Sequence, residues 1–264
     1  MKILPLKIPE SLKKIKSPPK ELFYQGNTSL LEKPKVAIVG TRKASQYTKQ
    51  SILSISRELS KIGIVVVSGG ALGTDISAHR GAFPNTISIM ANSLDIIYPK
   101  TNSDLIKQMA EQSLLISESE FGVPAHPKRF IHRNRLIIGI SDFVIIGEAD
   151  SRSGTSQSMR IAREMEKEIF VLLHRMGESV ETNLYLKTGW AKGIFNLDSF
   201  IDDIRNRYGV KEDLFSIADK EDPFLAFCKT NPTYEELFNK FGDEVFEYEL
   251  DGKFEVIGGR VYAV

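Results

Sequence analysis

Short apolar runs alternate with longer amphipathic stretches through most of the chain. The run at 35–40 is apolar almost throughout and stops at glycine, as is typical of a parallel strand buried on both faces. The stretches between such runs carry apolar residues at helical spacing, and Ser45 is placed to cap a helix that ends near Lys61. Strands are predicted at 35–40, 64–67, 86–90, 114–116, 142–146 and 168–172, and the helix before the last of them is predicted to run to Lys167. Their alternation with helices predicts an α/β fold with a doubly wound, mostly parallel sheet.

The two ends of the chain differ from this central region. Prolines interrupt residues 1–35, so this segment is predicted to be an N-terminal arm that packs on the main domain of residues 36–208. The polar segment 209–222 is predicted to be a linker. Residues 223–264 show three helical patterns and then two alternating runs around a Gly-Gly pair, which is a hairpin signal. This order predicts a small winged-helix-like domain.

Composition restricts the class of protein further. The 264 residues are 42% hydrophobic and 26% charged, as in ordinary globular proteins. No apolar run approaches the roughly 20 residues that span a bilayer, and the N-terminus lacks the features of a signal peptide. The single cysteine, Cys228, excludes an internal disulfide and a cysteine-based zinc site. The sequence thus predicts a cytoplasmic protein without membrane insertion.

Positive charge is concentrated in residues 126–135. The whole chain is nearly neutral, with 35 Lys and Arg against 34 Asp and Glu. This stretch alone contains Lys128, Arg129, Arg133 and Arg135, together with Phe130 and no acid. Such a patch attracts phosphate, and an aromatic ring among cations offers a stacking platform for a base. From this stretch alone, a solvated basic helix start remains the alternative.

Three predicted strands end in turns that are rich in glycine or hydroxyl residues. Ligands of open α/β sheets bind at this edge, where glycines admit a polyanion and helix N-termini favour negative charge. The turns are Gly40-Thr41-Arg42, Ser68-Gly69-Gly70 and Ser153-Gly154-Thr155. Together with the arginine they indicate a phosphate-bearing ligand. The dinucleotide fingerprint and the P-loop are both absent, so no cofactor is predicted.

Catalytic residues are not evident. Asp75 and His79 have helical i, i+4 spacing, but no third metal ligand accompanies them and a structural role is favoured. Glu118 and Glu120 could form a carboxylate pair, although two such acids usually face solvent or pair with arginines. The sequence therefore indicates a binding protein without catalytic or metal-binding residues.

An ordered series of blocks resembles the DNA-processing protein A family (DprA/Smf). The likeness covers roughly residues 17–195, and the order of the blocks is more specific than any single block. The blocks are 36–45, 67–75 followed by Ala78-His79, 94–99, 115–118, 130–137, Glu148-Ala149 with Ser153-Gly154-Thr155, and Thr182-Asn183 with Gly189. Two loops depart from the family pattern: 90–93 lacks the usual glycine-rich turn, and 173–175 replaces the usual Pro-Gly.

The resemblance implies an extended Rossmann-like domain that binds single-stranded DNA. Family members protect incoming DNA, help to load RecA recombinase during natural transformation and act as homodimers. The family's arginine motif falls on Gly40-Thr41-Arg42, its aromatic residue on Phe130 and its lysine on Lys128, with Arg129 as the alternative. The DNA-binding residues expected on this basis are Gly40, Thr41, Arg42, Ser68, Gly69, Gly70, Lys128, Arg129, Phe130, Arg133, Asn134, Arg135, Ser153, Gly154 and Thr155.

Two other interpretations of the sequence compete with this one. The same architecture serves nucleotide phosphoribohydrolases, whose motif Pro-Gly-Gly-x-Gly-Thr-x-x-Glu is only loosely matched by residues 68–75. The other is a scaffold with vestigial phosphate loops. The C-terminal segment is acidic, which favours a protein- or dimer-contact role there over nucleic-acid binding.

Overall fold

The computed structural model describes residues 2–208, 223–242, 244–250 and 253–263. The chain divides into two compact units, Met1–Glu212 and Asp213–Val264. The predicted linker at 209–222 lies outside the described residues, and the domain boundaries around it remain a prediction.

Within residues 2–208, nine strands form one sheet in the order β1-β2-β6-β5-β4-β3-β7-β8-β9. The strands are β1 (Leu4–Pro5), β2 (Phe23–Gly26), β3 (Lys35–Val39), β4 (Val65–Ser68), β5 (Thr86–Met90), β6 (Leu114–Ser117), β7 (Phe143–Ile146), β8 (Glu168–Leu172) and β9 (Lys192–Ile194). β1 pairs antiparallel with β2 and β2 with β6, whereas every other neighbouring pair is parallel. The prediction of an α/β, Rossmann-like, mostly parallel sheet is confirmed.

Helices cover both faces of this sheet. They are α1 (Glu10–Lys13), α2 (Gln46–Lys61), α3 (Thr74–Ala82), α4 (Ser103–Gln112), α5 (Pro127–Ile140), α6 (Gly154–Glu164), α7 (Val180–Lys187) and α8 (Leu197–Tyr208). Successive strand residues point to opposite faces. In β3, Val36 and Ile38 belong to the core cluster that includes α2, while Ala37 and Val39 belong to the cluster that includes α5. Both faces are therefore apolar, and β3 lies at the centre of the fold.

Two elements differ from their sequence-based prediction for identifiable reasons. β1 was not predicted, because a two-residue segment containing Pro5 has no pattern of its own and forms a strand only at the sheet edge. α6 was expected to reach Lys167 but ends at Glu164. Glu166 has φ 54°, in the left-handed region, and this conformation stops the helix before β8 begins.

The C-terminal unit has three helices and a separate two-stranded sheet. The helices are α9 (Pro223–Cys228), α10 (Tyr234–Phe241) and α11 (Glu244–Leu250), and the strands are β10 (Phe254–Ile257) and β11 (Arg260–Ala263). Gly258 and Gly259 both have positive φ between the antiparallel strands. Side chains such as Phe224, Leu237 and Val261 form a small core. This order of elements confirms the winged-helix-like prediction.

No helix in the described part of the chain has both the length and the apolar character needed to cross a bilayer.

Candidate functional site

An open cleft of about 440 Å³ lies at the carboxyl edge of the sheet, beside the ends of β3 and β7 and the start of α5. It brings together many of the residues that the sequence predicted, namely Gly40, Thr41, Arg42, Phe130, Arg133, Asn134, Ser153, Gly154 and Thr155. Its wall also includes residues that the sequence did not single out as ligand contacts, among them Lys43, Ala71, Asp75, Ile131 and Ser158.

Arg42 and Phe130 meet inside this cleft. α5 begins at Pro127, and His126 caps it by accepting a hydrogen bond from the Lys128 N–H at 3.3 Å. Phe130 therefore lies on the first turn of α5, and the Arg42 Cζ lies 4.4 Å from the centroid of its ring. This is a cation–π contact between side chains about 90 residues apart in sequence. It joins the arginine of one predicted motif to the aromatic residue of another.

Tyr98 extends this aromatic surface. Its ring centroid lies 5.9 Å from that of Phe130, and the side chain is 41% exposed. The sequence did not predict this contact, because local patterns do not show which distant residue a loop contacts. The ring of Phe130 thus has a cation on one side and a second aromatic neighbour.

Arg42 keeps its hydrogen-bonding groups available. Within the described part of the chain no carboxylate forms an ion pair with it. An exposed guanidinium without an acidic partner can bind an oxyanion through two parallel hydrogen bonds. Lys43 is exposed next to it in the cleft wall. This corner of the cleft is suited to phosphate.

The three glycine- or hydroxyl-rich turns are not equivalent. A Cβ at Gly40 would collide with the Thr74 side chain, and one at Gly69 with the Arg133 guanidinium, so these glycines permit internal packing. At Gly154, by contrast, a Cβ would meet no atom of the described chain within 4 Å. Of these glycines, only Gly154 faces open space where a ligand can approach.

The helix N-termini at this edge differ in whether an acidic side chain already lies beside them. The Glu148 carboxylate accepts hydrogen bonds from the Ser45 N–H at 2.9 Å and the Thr48 hydroxyl at 2.7 Å, so an acid already occupies the start of α2. Burial alone would raise the pKa of Glu148, but these hydrogen bonds hold it below its ordinary value. α3 carries Asp75 in its first turn, whereas α6 has no acid there. Of these three helix starts, that of α6 is the best suited to an anion.

Arg133 is buried, and it donates hydrogen bonds to backbone carbonyls in the interior. One of its terminal nitrogens donates to the Gly69 carbonyl at 2.6 Å and also to the Ile89 carbonyl, which joins the ends of β4 and β5. Burial lowers the pKa of Arg133 to about 10. Burial also raises the pKa of Asp75, although the charge of Arg133 opposes that shift. The guanidinium that the sequence predicted as a DNA contact is thus largely enclosed by protein.

Arg135 is also engaged within the protein. It forms a two-pronged ion pair with Glu118 at 2.6 and 2.7 Å, and its Nε donates to the Ser17 carbonyl at 2.8 Å. It does not line the cleft. Pairing of Glu118 with an arginine was one of the two ordinary roles expected for that acid. Lys128 and Arg129 are exposed on the first turn of α5, outside the cleft wall.

Ser68, Gly69 and Gly70 are buried and do not line the cleft either. The Ser68 hydroxyl donates to the Ile38 carbonyl at 2.6 Å, and this bond connects β4 to β3. These residues support the cleft from within. A direct contact with DNA, which the sequence predicted for them, remains a prediction.

His79 is buried and interacts with other residues of the protein interior. Its Nδ1 lies 2.7 Å from the Thr86 hydroxyl, and burial together with the Arg133 charge lowers its pKa to about 3. Asp75 accepts a hydrogen bond from the Ala71 N–H at 3.3 Å. Among the described residues, no group of three His, Cys, Asp or Glu side chains could hold a metal ion.

Comparison with known proteins shows which family this chain is part of. The model of the family described as DNA recombination-mediator protein A matches residues 3–205. The chain belongs to this family. The DNA processing protein DprA of Streptococcus pneumoniae is 36% identical over 167 residues, which are 62% of this chain and 59% of that protein. The chain thus spans little more than half the length of that relative.

Solved structures of family members have the same fold. DNA processing protein A from Helicobacter pylori, studied for its single-stranded DNA binding mode, is 45% identical with a TM-score of 0.76. The match covers 78% of this chain and 97% of that one. DprA from Streptococcus pneumoniae is 33% identical with a TM-score of 0.70, over 74% of this chain and 70% of that one.

Proposed function

We propose that this chain is a single-stranded DNA-binding recombination mediator whose cleft at the carboxyl edge of the sheet holds the strand. The observation that carries the proposal is the contact between Arg42 and Phe130 in that cleft, at 4.4 Å. It places a phosphate-binding group and a base-stacking surface within one nucleotide's reach. The Helicobacter pylori relative, whose structure concerns single-stranded DNA binding, supports the same assignment.

A nucleotide would replace this contact when it binds. Its base takes the face of Phe130 that Arg42 covers, and Arg42 turns to the adjoining phosphate. Tyr98 widens the stacking surface, and the N-terminus of α6 receives a further phosphate. Because every base has a π-face and every nucleotide a phosphate, such a site tolerates any sequence. Lys128 and Arg129 add positive potential from outside the cleft.

Arg133 and Arg135 act on the same site from within. Arg133 is hydrogen-bonded to strand-end carbonyls and Arg135 is paired with Glu118. We assign both of them to positioning α5, which presents Phe130, against the sheet. The Nε and one terminal nitrogen of Arg133, and all three guanidinium nitrogens of Arg135, already donate within the protein, so a phosphate contact through these nitrogens would require those bonds to break.

A binding role is favoured over nucleotide hydrolysis by the environment of Asp75. In the phosphoribohydrolase motif, an acid after the glycine-rich turn serves catalysis. Here burial raises the pKa of Asp75, the charge of Arg133 opposes that rise, and the carboxylate accepts a hydrogen bond from the Ala71 N–H. Asp75 borders the cleft, but its carboxylate is engaged with the Ala71 N–H and with the charge of Arg133, so we assign it a structural role and propose that the protein is not an enzyme.

Titration of a labelled oligothymidylate, followed by fluorescence anisotropy, tests the proposal. About three phosphate contacts, from Arg42, Lys43 and the start of α6, give a slope of log affinity against log salt of about −2. Raising the salt from about 50 to about 200 mM should therefore weaken binding about 20-fold. Duplex DNA should compete poorly, because its bases are stacked and cannot reach Phe130.

A flat salt profile would contradict the phosphate contacts. An absence of binding at low salt, together with release of free base from a nucleoside monophosphate, would instead favour the phosphoribohydrolase alternative.

We extend the proposal to the role that the family resemblance implies. In the cytoplasm, the protein would protect incoming DNA and help to load RecA recombinase during natural transformation. RecA-dependent ATP hydrolysis on oligothymidylate should begin sooner when this protein is present. An unchanged lag, under conditions where the protein does bind the strand, would contradict the RecA role alone.

We also propose that the chain forms a homodimer through α7 and the edge of the sheet at β9. Val180, Leu184, Trp190 and Phe195 expose between 44% and 81% of their surface there. A strand edge beside apolar side chains is a common site of association. Leu184→Glu should give a monomer by light scattering. Leu72 is similarly exposed but lies outside α7 and β9, so Leu72→Glu should leave the dimer intact. A wild-type protein that is monomeric in solution would exclude the proposed dimer.

The C-terminal unit is proposed to contact protein and not DNA. Its hairpin exposes Val256, Ile257 and Tyr262, and the segment carries many acids, which repel phosphate. Deleting residues 222–264 should change the affinity for oligothymidylate by less than about 3-fold, or roughly 0.7 kcal/mol. Near-complete loss of binding by a truncated protein that remains folded would overturn this assignment.

A further inference from the structure

A second aromatic pair lies at the carboxyl edge of the sheet, outside the cleft. Tyr47 is the second residue of α2 and is 50% exposed. Its ring centroid lies 5.7 Å from that of His174, and the two ring planes are perpendicular. His174 follows β8 and stands in the loop that departs from the family pattern. Neither ring lines the cleft.

A backbone hydrogen bond holds the His174 ring, and Tyr47 stands on the capped first turn of α2. The Nε2 of His174 lies 2.7 Å from the Gly147 carbonyl, to which it donates, and Gly147 directly follows β7. The Ser45 side chain caps α2 two residues before Tyr47. A surface fixed in this way binds with less loss of side-chain freedom than a mobile one.

An exposed cation lies close in sequence to each of the two rings. Lys43 lies between Arg42 and Tyr47 in sequence and lines the cleft, while Arg175 directly follows His174. No ion pair involves either cation within the described residues. The neighbouring acid Glu148 is hydrogen-bonded to Ser45 and Thr48. Aromatic faces with free cations beside them are the combination that single-strand binders use.

We infer that Tyr47 and His174 form a second base-stacking platform, on which a bound strand continues after it leaves the cleft. The inference rests on the proposed function, since it assigns the same strand a longer path. Only β7 separates β3 from β8, so the ends of these strands are about 10 Å apart at the usual strand spacing. Three stacked nucleotides span that distance at ~3.4 Å each. Lys43 holds the intervening backbone.

Two strand lengths distinguish this platform from the cleft. Oligothymidylates of about 3 and about 15 nucleotides are suitable, because the shorter strand fills the cleft without reaching the platform and the longer strand passes over both. With the protein carrying Tyr47→Ala and His174→Ala, we expect affinity for the longer strand to fall at least 5-fold and that for the shorter strand by less than about 2-fold. Tyr47→Phe, which keeps the ring, should bind like the wild type. A strand carrying 5-iodouracil should cross-link to the peptide that contains Tyr47 or His174.

A matched control is available in the C-terminal unit. Phe246 is 49% exposed and makes an edge-to-face contact with Phe238, with ring centroids 5.6 Å apart and an interplanar angle of 65°, which resembles the contact in the Tyr47 pair. Phe246→Ala should leave binding of both strand lengths unchanged.

The outcomes separate the platform from the proposed function. If wild-type protein binds both lengths and the Tyr47 and His174 substitutions change neither, or change both equally, the platform is excluded and the cleft stands. If wild-type protein binds neither length at low salt, the proposed function fails and the platform with it. Circular dichroism confirms that the variant remains folded.

Discussion

Replacing Arg133 with methionine is expected to lower the free energy of unfolding by about 3–5 kcal/mol, the usual cost of removing one partner from a buried charge network. Methionine retains much of the apolar volume of arginine, so the loss comes from polar groups. The Gly69 and Ile89 carbonyls lose their donor, and the buried Asp75 loses the positive charge that favours its ionisation. Urea unfolding at neutral pH, with the linear extrapolation, measures the change.

Arg129→Met is the matched control, because Arg129 lies on the same helix one turn earlier and is exposed. Its free energy of unfolding should stay within about 0.5 kcal/mol of the wild type. A loss of less than about 1 kcal/mol in the Arg133 variant would mean that the two carbonyls find other donors at little cost, and the assigned role in holding β4 to β5 would be wrong.

The Arg133 variant should also show a characteristic pH dependence. Burial raises the pKa of Asp75 in the folded wild type, and removing Arg133 should raise it further. The folded state then binds a proton more tightly than the unfolded chain, where an aspartate titrates near ~3.9. Stability consequently falls as the pH rises from the unfolded pKa toward the folded one. The difference between variant and wild type should shrink on acidification toward pH ~4, whereas a constant difference would assign the loss to hydrogen bonds alone.

Most of the fold was predictable from the sequence because its elements have local signatures. β5 and β8 have the predicted bounds, since each is a short, mostly apolar run that lies between a turn and a loop. β1 was not predictable, because Leu4 and Pro5 form a strand only by pairing with Tyr24 and Phe23. Pairing partners are distant in sequence and leave no periodic trace.

The residue types at the candidate site were predictable from the sequence. Which of these residues face the cleft, and which support it from the interior, was not. Arg42 and Phe130 meet in the cleft, as the phosphate and stacking arguments required. Arginines are ordinarily exposed, so nothing local showed that Arg133 and Arg135 are enclosed. The glycines were similarly ambiguous, because Gly69 makes room for a guanidinium while Gly154 faces open space. Only the tertiary structure distinguishes a glycine that admits a ligand from one that admits a side chain.

Loss of the Phe130 ring or of the Arg42 guanidinium should weaken binding of oligothymidylate more than any other substitution in the cleft. Base stacking is worth ~1–3 kcal/mol, so Phe130→Ala should reduce affinity about 5- to 150-fold. A hydrogen-bonded charge is worth about 1.5–3 kcal/mol, so Arg42→Ala should cost about 10- to 150-fold. Anisotropy titration measures both, and wild-type affinity for either variant would exclude that residue from the site.

Conservative variants identify the physical contribution of each side chain. Phe130→Leu keeps an apolar side chain without a planar ring, and Arg42→Lys keeps the charge without the planar fork. Both should bind more weakly than the wild type if stacking and bidentate phosphate binding are the contributions that matter. If Phe130→Leu binds normally, the ring acts only as apolar surface.

The double variant should not be additive, because Arg42 and Phe130 contact each other before any ligand arrives. The strand must displace that contact when it binds. Each single variant therefore loses the contact between the two side chains in the free protein and also loses a contact with the strand in the complex. The combined loss of binding free energy should therefore differ from the sum of the single losses by about 0.5–3 kcal/mol, as is usual for side chains in contact. Strict additivity would mean that the two residues act on the strand independently, and that their contact in the free protein contributes nothing to the free energy of binding.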